Sequence, residues 1–336
     1  MKRKALGVLL SGLVLVMSIQ AFLYQHFLVV MPGLAVDLKD MVTVETGCKE
    51  STGKFLLTSV SSEPATIFSI IAAAMSPYVD FVPKTREIPP GITMEKYLKI
   101  MENLMRESQM IAEAVALRKA GYEVKTSVQV MVEDLMEGSP AHGKVRPGDV
   151  IREVDFRPVR TAQEAIEAIQ RHKVSDEVSL ILLRDGKVIS TRIKTIPRHD
   201  DKSKAAIGVL IAPYIEYEFP VKIEVRSKDI RGSSAGSMFC LEMLDQLTRG
   251  DLTSGHIVAG TGTLDIDGKI GPIAGVKQKI RTAEKAGAEF FFVPKENAEE
   301  ARMAATTVKV IEVSKIDDML TFLDRLAGRK KHSDGE

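Results

Sequence analysis

The sequence has little cysteine, no surplus of either charge and no grouping of metal-binding side chains, and each shortage closes off a class of function. Lys and Arg total 46 against 45 Asp and Glu in 336 residues, so neither nucleic acid nor an acidic substrate is favoured as a partner. The histidines, His26, His142, His172, His199, His256 and His332, are scattered along the chain, and no metal site is expected. With only Cys48 and Cys240 there is no disulfide framework. Cys240 falls inside an apolar helical pattern and reads as a small core residue, which weighs against a Cys48–Cys240 bridge. A usable phosphate loop is also missing. Gly47 and Gly53 are separated by five residues, and Phe55 follows Lys54 where a magnesium-binding Ser or Thr is required. No nucleotide and no other cofactor is expected.

What the chain does have begins at its N-terminus. Lys2, Arg3 and Lys4 precede an apolar run from Ala5 to Tyr24, broken only by Ser11, Ser18 and Gln20 among polar side chains. As a helix this run covers about 30 Å, the thickness of a bilayer's hydrocarbon. Positive residues before the span place the N-terminus in the cytoplasm and the rest outside. The expectation is a single-pass protein of the cell membrane, anchored by residues 1–31, with its catalytic part extracellular. A cleaved signal peptide is the competing reading; the length of the run and the want of a small-x-small cleavage site favour an anchor that stays.

Residues 32–123 alternate strand and helix signals. Met31-Pro32-Gly33 is expected to break the first helix. Val42–Val44 and Phe55–Val60 read as strands, and Pro64–Met75 as a short buried helix. A proline-rich stretch from Val82 to Pro90 leads into a helical pattern over Thr93–Lys119. Its methionines, Met94, Met101 and Met105, read as core filler.

Residues 124–198 show a different pattern. Val128-Gln-Val130-Met-Val132 alternates as a strand, Ser139-Pro-Ala141 leads to Gly148-Asp-Val-Ile151, Ala162–Gln170 is amphipathic, and Asp185-Gly186 turns a hairpin. This segment resembles a PDZ domain. The resemblance implies binding of a peptide as an added strand, with Val128 and Val130 on the groove strand as the contacts. Gly121-Tyr-Glu-Val124 lacks the glycine-rich loop that holds a terminal carboxylate in that family.

Residues 199–328 carry the chemistry. A glycine-bracketed turn, Arg231-Gly-Ser-Ser-Ala-Gly236, enters a helical pattern of Met238, Leu241, Met243, Leu244 and Leu247, whose first turn is expected to contain a hydroxyl. Amides at a helix start can stabilise an oxyanion, and Gly232 allows close backbone approach. Lys277 and Lys279 follow about forty-five residues later. On a helix they project about 200° apart. Val276, Ile280 and Ala283 mark the buried stripe, with Lys279 beside it and Lys277 on the solvated side with Arg281 and Glu284. A buried lysine favours its neutral form and can take a serine proton. Ser-Ala-Gly, Gly260-Thr-Gly262, Gly-x-Ile-x-Gly-Val-Lys-x-Lys279 and Phe-Val-Pro-Lys-Glu-Asn297 occur in the order and nearly the spacing of the Lon proteolytic domain, which this region closely resembles. The resemblance implies Ser234 as nucleophile, Lys279 as base and Thr261 as the residue orienting the amine. Ser233 and Arg231 depart from the family's usual residues beside the nucleophile. Asp265 and Asp267 read as a turn, and residues 329–336 as a disordered charged tail.

The whole chain, including Pro32-Gly-x-Ala-Val-Asp-Leu38, resembles the membrane-anchored PDZ–Lon-like serine proteases of Gram-positive bacteria, SepM-type enzymes among them. The expected class is α+β: a transmembrane helix, a PDZ domain and a Lon-type proteolytic domain, with residues 32–123 packing into a discontinuous catalytic fold. The implied activity is an ATP-independent serine endopeptidase acting on peptides or unfolded proteins presented by the PDZ domain. The alternative is a non-catalytic, membrane-anchored peptide-binding scaffold. Nothing specifies the oligomeric state, and a homo-oligomer is compatible with the sequence.

Overall fold

Residues Lys2–His26 form one helix, α1, in the computed structural model, which describes residues 2–48, 51–227 and 230–333. Its stretch Leu6–His26 has mean hydropathy 2.2 and is almost wholly exposed. Length and composition fit a membrane span, a test that a signal sequence also passes. The helix ends at His26, earlier than Met31-Pro-Gly was expected to end it. Phe27–Asp37 is instead a strand, β1, and Pro32 sits where its register shifts against its neighbour. A bulge tolerates a residue without an N–H.

After β1 come β2 (Val42–Val44), β3 (Lys54–Pro64), helix α2 (Ile67–Met75), β4 (Asp80–Pro83), a single helical turn α3 (Lys84–Glu87) and the long α4 (Met94–Lys119). Thr93 caps α4 by accepting the N–H of Lys96. Helix α2 was expected to be buried. It forms, but Phe68, Ile71 and Met75 are exposed.

The middle unit, residues 124–219, holds β5 (Lys125–Leu135), β6 (Val150–Val154), β7 (Arg157–Pro158), helix α5 (Ala162–Gln170), β8 (Glu177–Arg184), β9 (Lys187–Lys194), β10 (Ile196–Pro197), β11 (Ala205–Ala206) and β12 (Val209–Glu218). Asp185 and Gly186, both at positive φ, turn β8 into β9. The main sheet runs β12-β5-β6-β8-β9. Val130, Val132, Ile151, Leu180 and Leu182 fill its core with Ala165 and Ile169 of α5. Two expectations change. The unit extends beyond residue 198 to 219, because β12 pairs along the whole of β5. Strand β5 is therefore interior, with β6 on its other side, and Val130 is fully buried in the core and cannot touch a peptide. Val128 is half-exposed.

The second unit joins residues 1–123 to 220–336. Its C-terminal elements are β13 (Ile223–Val225), helix α6 (Gly236–Leu247), β14 (Ile257–Gly260), β15 (Thr263–Leu264), β16 (Ile270–Gly271), helix α7 (Val276–Lys285), β17 (Phe290–Pro294), helix α8 (Ala298–Ala304), β18 (Lys309–Val313) and helix α9 (Ile316–Ser333). The expected disordered tail at 329–336 is thus helical through Ser333; residues 334–336 lie outside the described part.

One mixed sheet, ordered β18-β17-β14-β3-β1-β4, organises this unit. Its four central and C-terminal members, β3, β14, β17 and β18, run parallel; β1 is antiparallel to β3 and β4. The period of two along β3 sends Phe55 and Leu57 to one face and Leu56 to the other. On the first face they pack with Met238, Phe239 and Leu241 of α6, Met105 and Val115 of α4, and Met319 and Leu323 of α9. On the second, Leu56, Ala259, Phe291 and Val293 pack with Val276, Ile280 and Ala283 of α7 and with α8. Full burial of each large side chain such as Phe239 or Phe292 contributes about 1.5–3 kcal/mol. Phe55, which stands where a phosphate loop requires Ser or Thr, is part of this core. Cys240 is fully buried there and is not bonded to Cys48.

Candidate active site

Helices from the two faces of the sheet converge where β14 ends, and Gly260-Thr261-Gly262 runs between them. The N–H of Gly262 donates to the carbonyl of Ser234 at 2.8 Å. That approach requires glycine: a Cβ there would lie 2.4 Å from Ile270 Cγ2. Ser234 stands in the turn before α6, two residues ahead of its first residue, rather than in the helix's first turn as the pattern suggested.

Lys279 reaches this turn from α7. Its Nζ lies 2.7 Å from Ser234 Oγ and 2.8 Å from Thr261 Oγ1, with the whole residue only 3% exposed. The Thr261 hydroxyl donates to the Ser234 carbonyl at 2.9 Å. Its lone pairs are therefore left to accept from the lysine. Burial lowers the lysine's pKa to about 7, since a low-dielectric site disfavours the ammonium. A neutral amine in this position keeps one N–H on Thr261 and has its lone pair available for the Ser234 hydroxyl.

Gly232 plays another part than the one expected. It adopts φ +92°, a conformation that favours glycine. Its N–H donates to the carbonyl of Met101 at 2.9 Å, so it is committed to the scaffold and not to an oxyanion. The N–H groups of Ser234 and Ala235 have no protein acceptor among the described residues.

Sequence reasoning missed the support from α4. Ser108 donates to the carbonyl of Ser233 at 3.0 Å, and Met101 accepts from Gly232, so one helix holds both sides of the turn. Nothing local in Thr93–Lys119 signals a partner more than a hundred residues away. Asn297, the last residue of Phe-Val-Pro-Lys-Glu-Asn, has a structural part that the motif alone does not reveal. Its side-chain amide both accepts from the N–H and donates to the carbonyl of Ile273, bracing the loop that leads to α7. Asp265 accepts the N–H groups of Asp267 and Lys269, which makes it a turn-former.

Lys277 is not simply solvated. It pairs with Asp80 of β4 at 2.6 Å, and Asp80 also accepts from Gln278 at 2.7 Å. Glu284, expected beside it on the wet face, has its side chain buried and accepts the N–H groups of Thr306 and Thr307.

In the middle unit, β9 and β12 are the two edge strands of the main sheet, and α5 packs against β12. No described strand pairs with its second edge. Strand β12 therefore offers an edge open to strand addition, whereas Val130 and Met131 of β5 are paired on both sides.

Residues 221–325 match the profile of the Lon protease (S16) C-terminal proteolytic domain, and residues 100–195 that of the PDZ domain. A Lon protease of Campylobacter concisus is 28% identical over 145 residues, covering 41% of this chain and 17% of that protein. One from Haemophilus influenzae is 33% identical over 95 residues, covering 27% and 12%. The chain thus spans under a fifth of the length of these curated relatives. Among solved structures, the PDZ domain of an SdrC-like protein from Listeria innocua is 30% identical, with TM-score 0.23, covering 25% of this chain and 92% of that one.

Proposed function

We propose that this chain, which carries a PDZ domain and a Lon-type proteolytic domain, is a serine endopeptidase working through Ser234 and Lys279. The observation that carries the reading is a lysine almost wholly buried, with its amine 2.7 Å from a serine hydroxyl. Burying an ammonium without a carboxylate partner is costly. A scaffold that only binds peptides gives no reason to bear that cost.

The steps follow from the atoms in place. Neutral Lys279 takes the proton of Ser234 as Oγ attacks the scissile carbonyl. The N–H groups of Ser234 and Ala235 are the available donors for the developing oxyanion. The ammonium then passes its proton to the leaving amine, and the acyl-enzyme forms. A water, activated by the same amine, releases the acid and restores the serine. No ATP enters these steps. Thr261 positions the amine throughout.

The substrate reading is an extended peptide or unfolded segment, captured along the free edge of β12 by strand addition. With α1 retained as an anchor and its cationic end inside, the proteolytic domain faces the outside of the cell membrane. The test is to incubate the full chain in detergent with a library of extended peptides and read new termini by mass spectrometry. Internal cuts that vanish in Ser234→Ala are expected. Cuts that persist in that variant, or none with any peptide, would reject the reading.

A further inference from the structure

Residues 64–79 carry no charged side chain, and within them α2 turns an apolar stripe away from the protein. Phe68, Ile71 and Met75, spaced i, i+3 and i+7, share a face and are 81%, 52% and 81% exposed. A soluble surface rarely keeps such a stripe without a use. The surroundings say what covers it.

The N-terminus of α2 is tied to α1. The N–H of Ile67 donates to Gln20 Oε1 at 3.0 Å. Gln20 lies six residues before the end of α1, about 9 Å back along its axis at 1.5 Å per residue. If α1 crosses the bilayer, α2 starts below the level at which α1 leaves it.

The N–H groups of Thr66, Ile67 and Ser69 at that start are satisfied internally, as hydrocarbon favours. Thr66 and Ser69 form a reciprocal capping box, and the next N–H is the one Gln20 accepts. Between the two helices lies an open cleft of about 850 Å³, lined by Val16, Met17, Ala21, Ile67 and Phe68, which suits a lipid chain better than water. At its rim Lys84 sits 5.5 Å over the ring of Tyr24, a cation and an aromatic of the kinds found at headgroup level.

We infer that α2 is a second membrane-contacting element, lying in the outer leaflet beside α1 with Phe68, Ile71 and Met75 among the acyl chains. The occupant is lipid. This rests on the reading of α1 as a retained anchor, so the experiment tests both separately.

In a Cys48→Ser background, single cysteines replace Leu13, Phe68, Ile71 or Glu299, an exposed position on α8. Each is labelled with an environment-sensitive fluorophore in the full chain, reconstituted in phosphatidylcholine–phosphatidylglycerol vesicles. Quenching by nitroxides on the acyl chains is compared with quenching by aqueous iodide. The expected ratio at 68 and 71 is several-fold above that at 299 and close to that at 13. A deep label at 13 with 68 and 71 matching 299 would overturn the proposal while leaving the anchor intact. An aqueous label at 13 would remove the anchor reading and the proposal with it. Labels at 68 and 71 shielded from both quenchers would mean a protein covers α2, which also overturns it.

Discussion

Asp80 and Gln278 meet at 2.7 Å, side chain to side chain, and this joins the edge strand of the sheet to the residue directly before the candidate base. The second oxygen of Asp80 takes Lys277 at 2.6 Å, so α7 is gripped on both residues that precede Lys279. Two bonds on consecutive residues restrain the helix from sliding or turning.

Asp80→Ala is accordingly expected to lower kcat by roughly tenfold, on the scale of one or two charge-assisted hydrogen bonds. KM should change little, since Asp80 does not meet the reacting atoms. Asp80→Asn keeps one acceptor and should recover part of the loss. Steady-state kinetics of both variants decide it; unchanged kcat in Asp80→Ala would show that the grip is idle.

The nucleophile turn separates three serines. Ser234→Ala should abolish cleavage with no change in the circular dichroism spectrum. Ser233→Ala should keep most activity. Ser108→Ala removes the bond to the carbonyl of Ser233 and should cost several-fold in kcat, although the two residues are far apart in sequence. Equal losses in the Ser233 and Ser234 variants would misplace the attacking atom.

Activity should rise with pH through a midpoint near 7, since Lys279 must be neutral to accept a proton and burial lowers its pKa to about 7. Lys279→Ala is expected to lose about two to four orders of magnitude. Lys279→Arg should be as inactive, because a guanidinium stays charged. Lys277→Ala keeps the amine and should cost far less. Initial rates from pH 6 to 10 check all four proteins.

The same burial makes Lys279 a liability to the fold. Below pH 7 the site must hold a buried ammonium that the unfolded chain solvates freely. Between pH 7 and the ordinary value of 10.5 the unfolded state binds more protons than the folded one, so stability rises with pH across that window. Lys279→Met should therefore melt higher than the wild type at pH 7, by roughly a few kcal/mol of stability, with the gap narrowing toward pH 10. Thermal denaturation at pH 6, 7, 8.5 and 9.5 measures it. A variant less stable at every pH would contradict the burial argument.

Peptide capture should protect β12 and spare β5. In hydrogen–deuterium exchange of the full chain with a bound extended peptide, amides of residues 209–218 should slow. Those of residues 125–135 are already paired to β12 and should change little. Protection confined to 125–135 would restore the first assignment of the groove.

The meeting of Ser234 and Lys279 was legible because its signals are local: a serine before an apolar helix, and a lysine three residues beyond Val276 on a buried stripe. The PDZ-like strands were legible too, through alternation and the Asp185-Gly186 turn. The position of β5 in its sheet was not. Whether a strand is an edge depends on a partner eighty residues on, and the alternation of Val128, Val130 and Val132 is the same in either case. Helix α2 was misread for a related reason, since an apolar run states a preference for leaving water but not whether protein or lipid receives it. Gly232 was read as open backbone, while its N–H had been claimed by a helix more than a hundred residues earlier.

Strand β14, which ends at the site, pairs along β3, its neighbour in the sheet from the other side of the inserted unit. During synthesis the inserted unit is complete, with all its own partners, well before β14 leaves the ribosome. Strand β3, made long before it, must wait for this partner. Ser234 and Lys279 lie in the final third of the chain, while Met101 and Ser108, which hold the turn before α6, lie in the first. Such distant pairings form late. A chain halted between the end of β12 and the start of α7 therefore has a complete inserted unit but lacks Lys279, the proposed base, so translation supplies the proposed chemistry only after that unit.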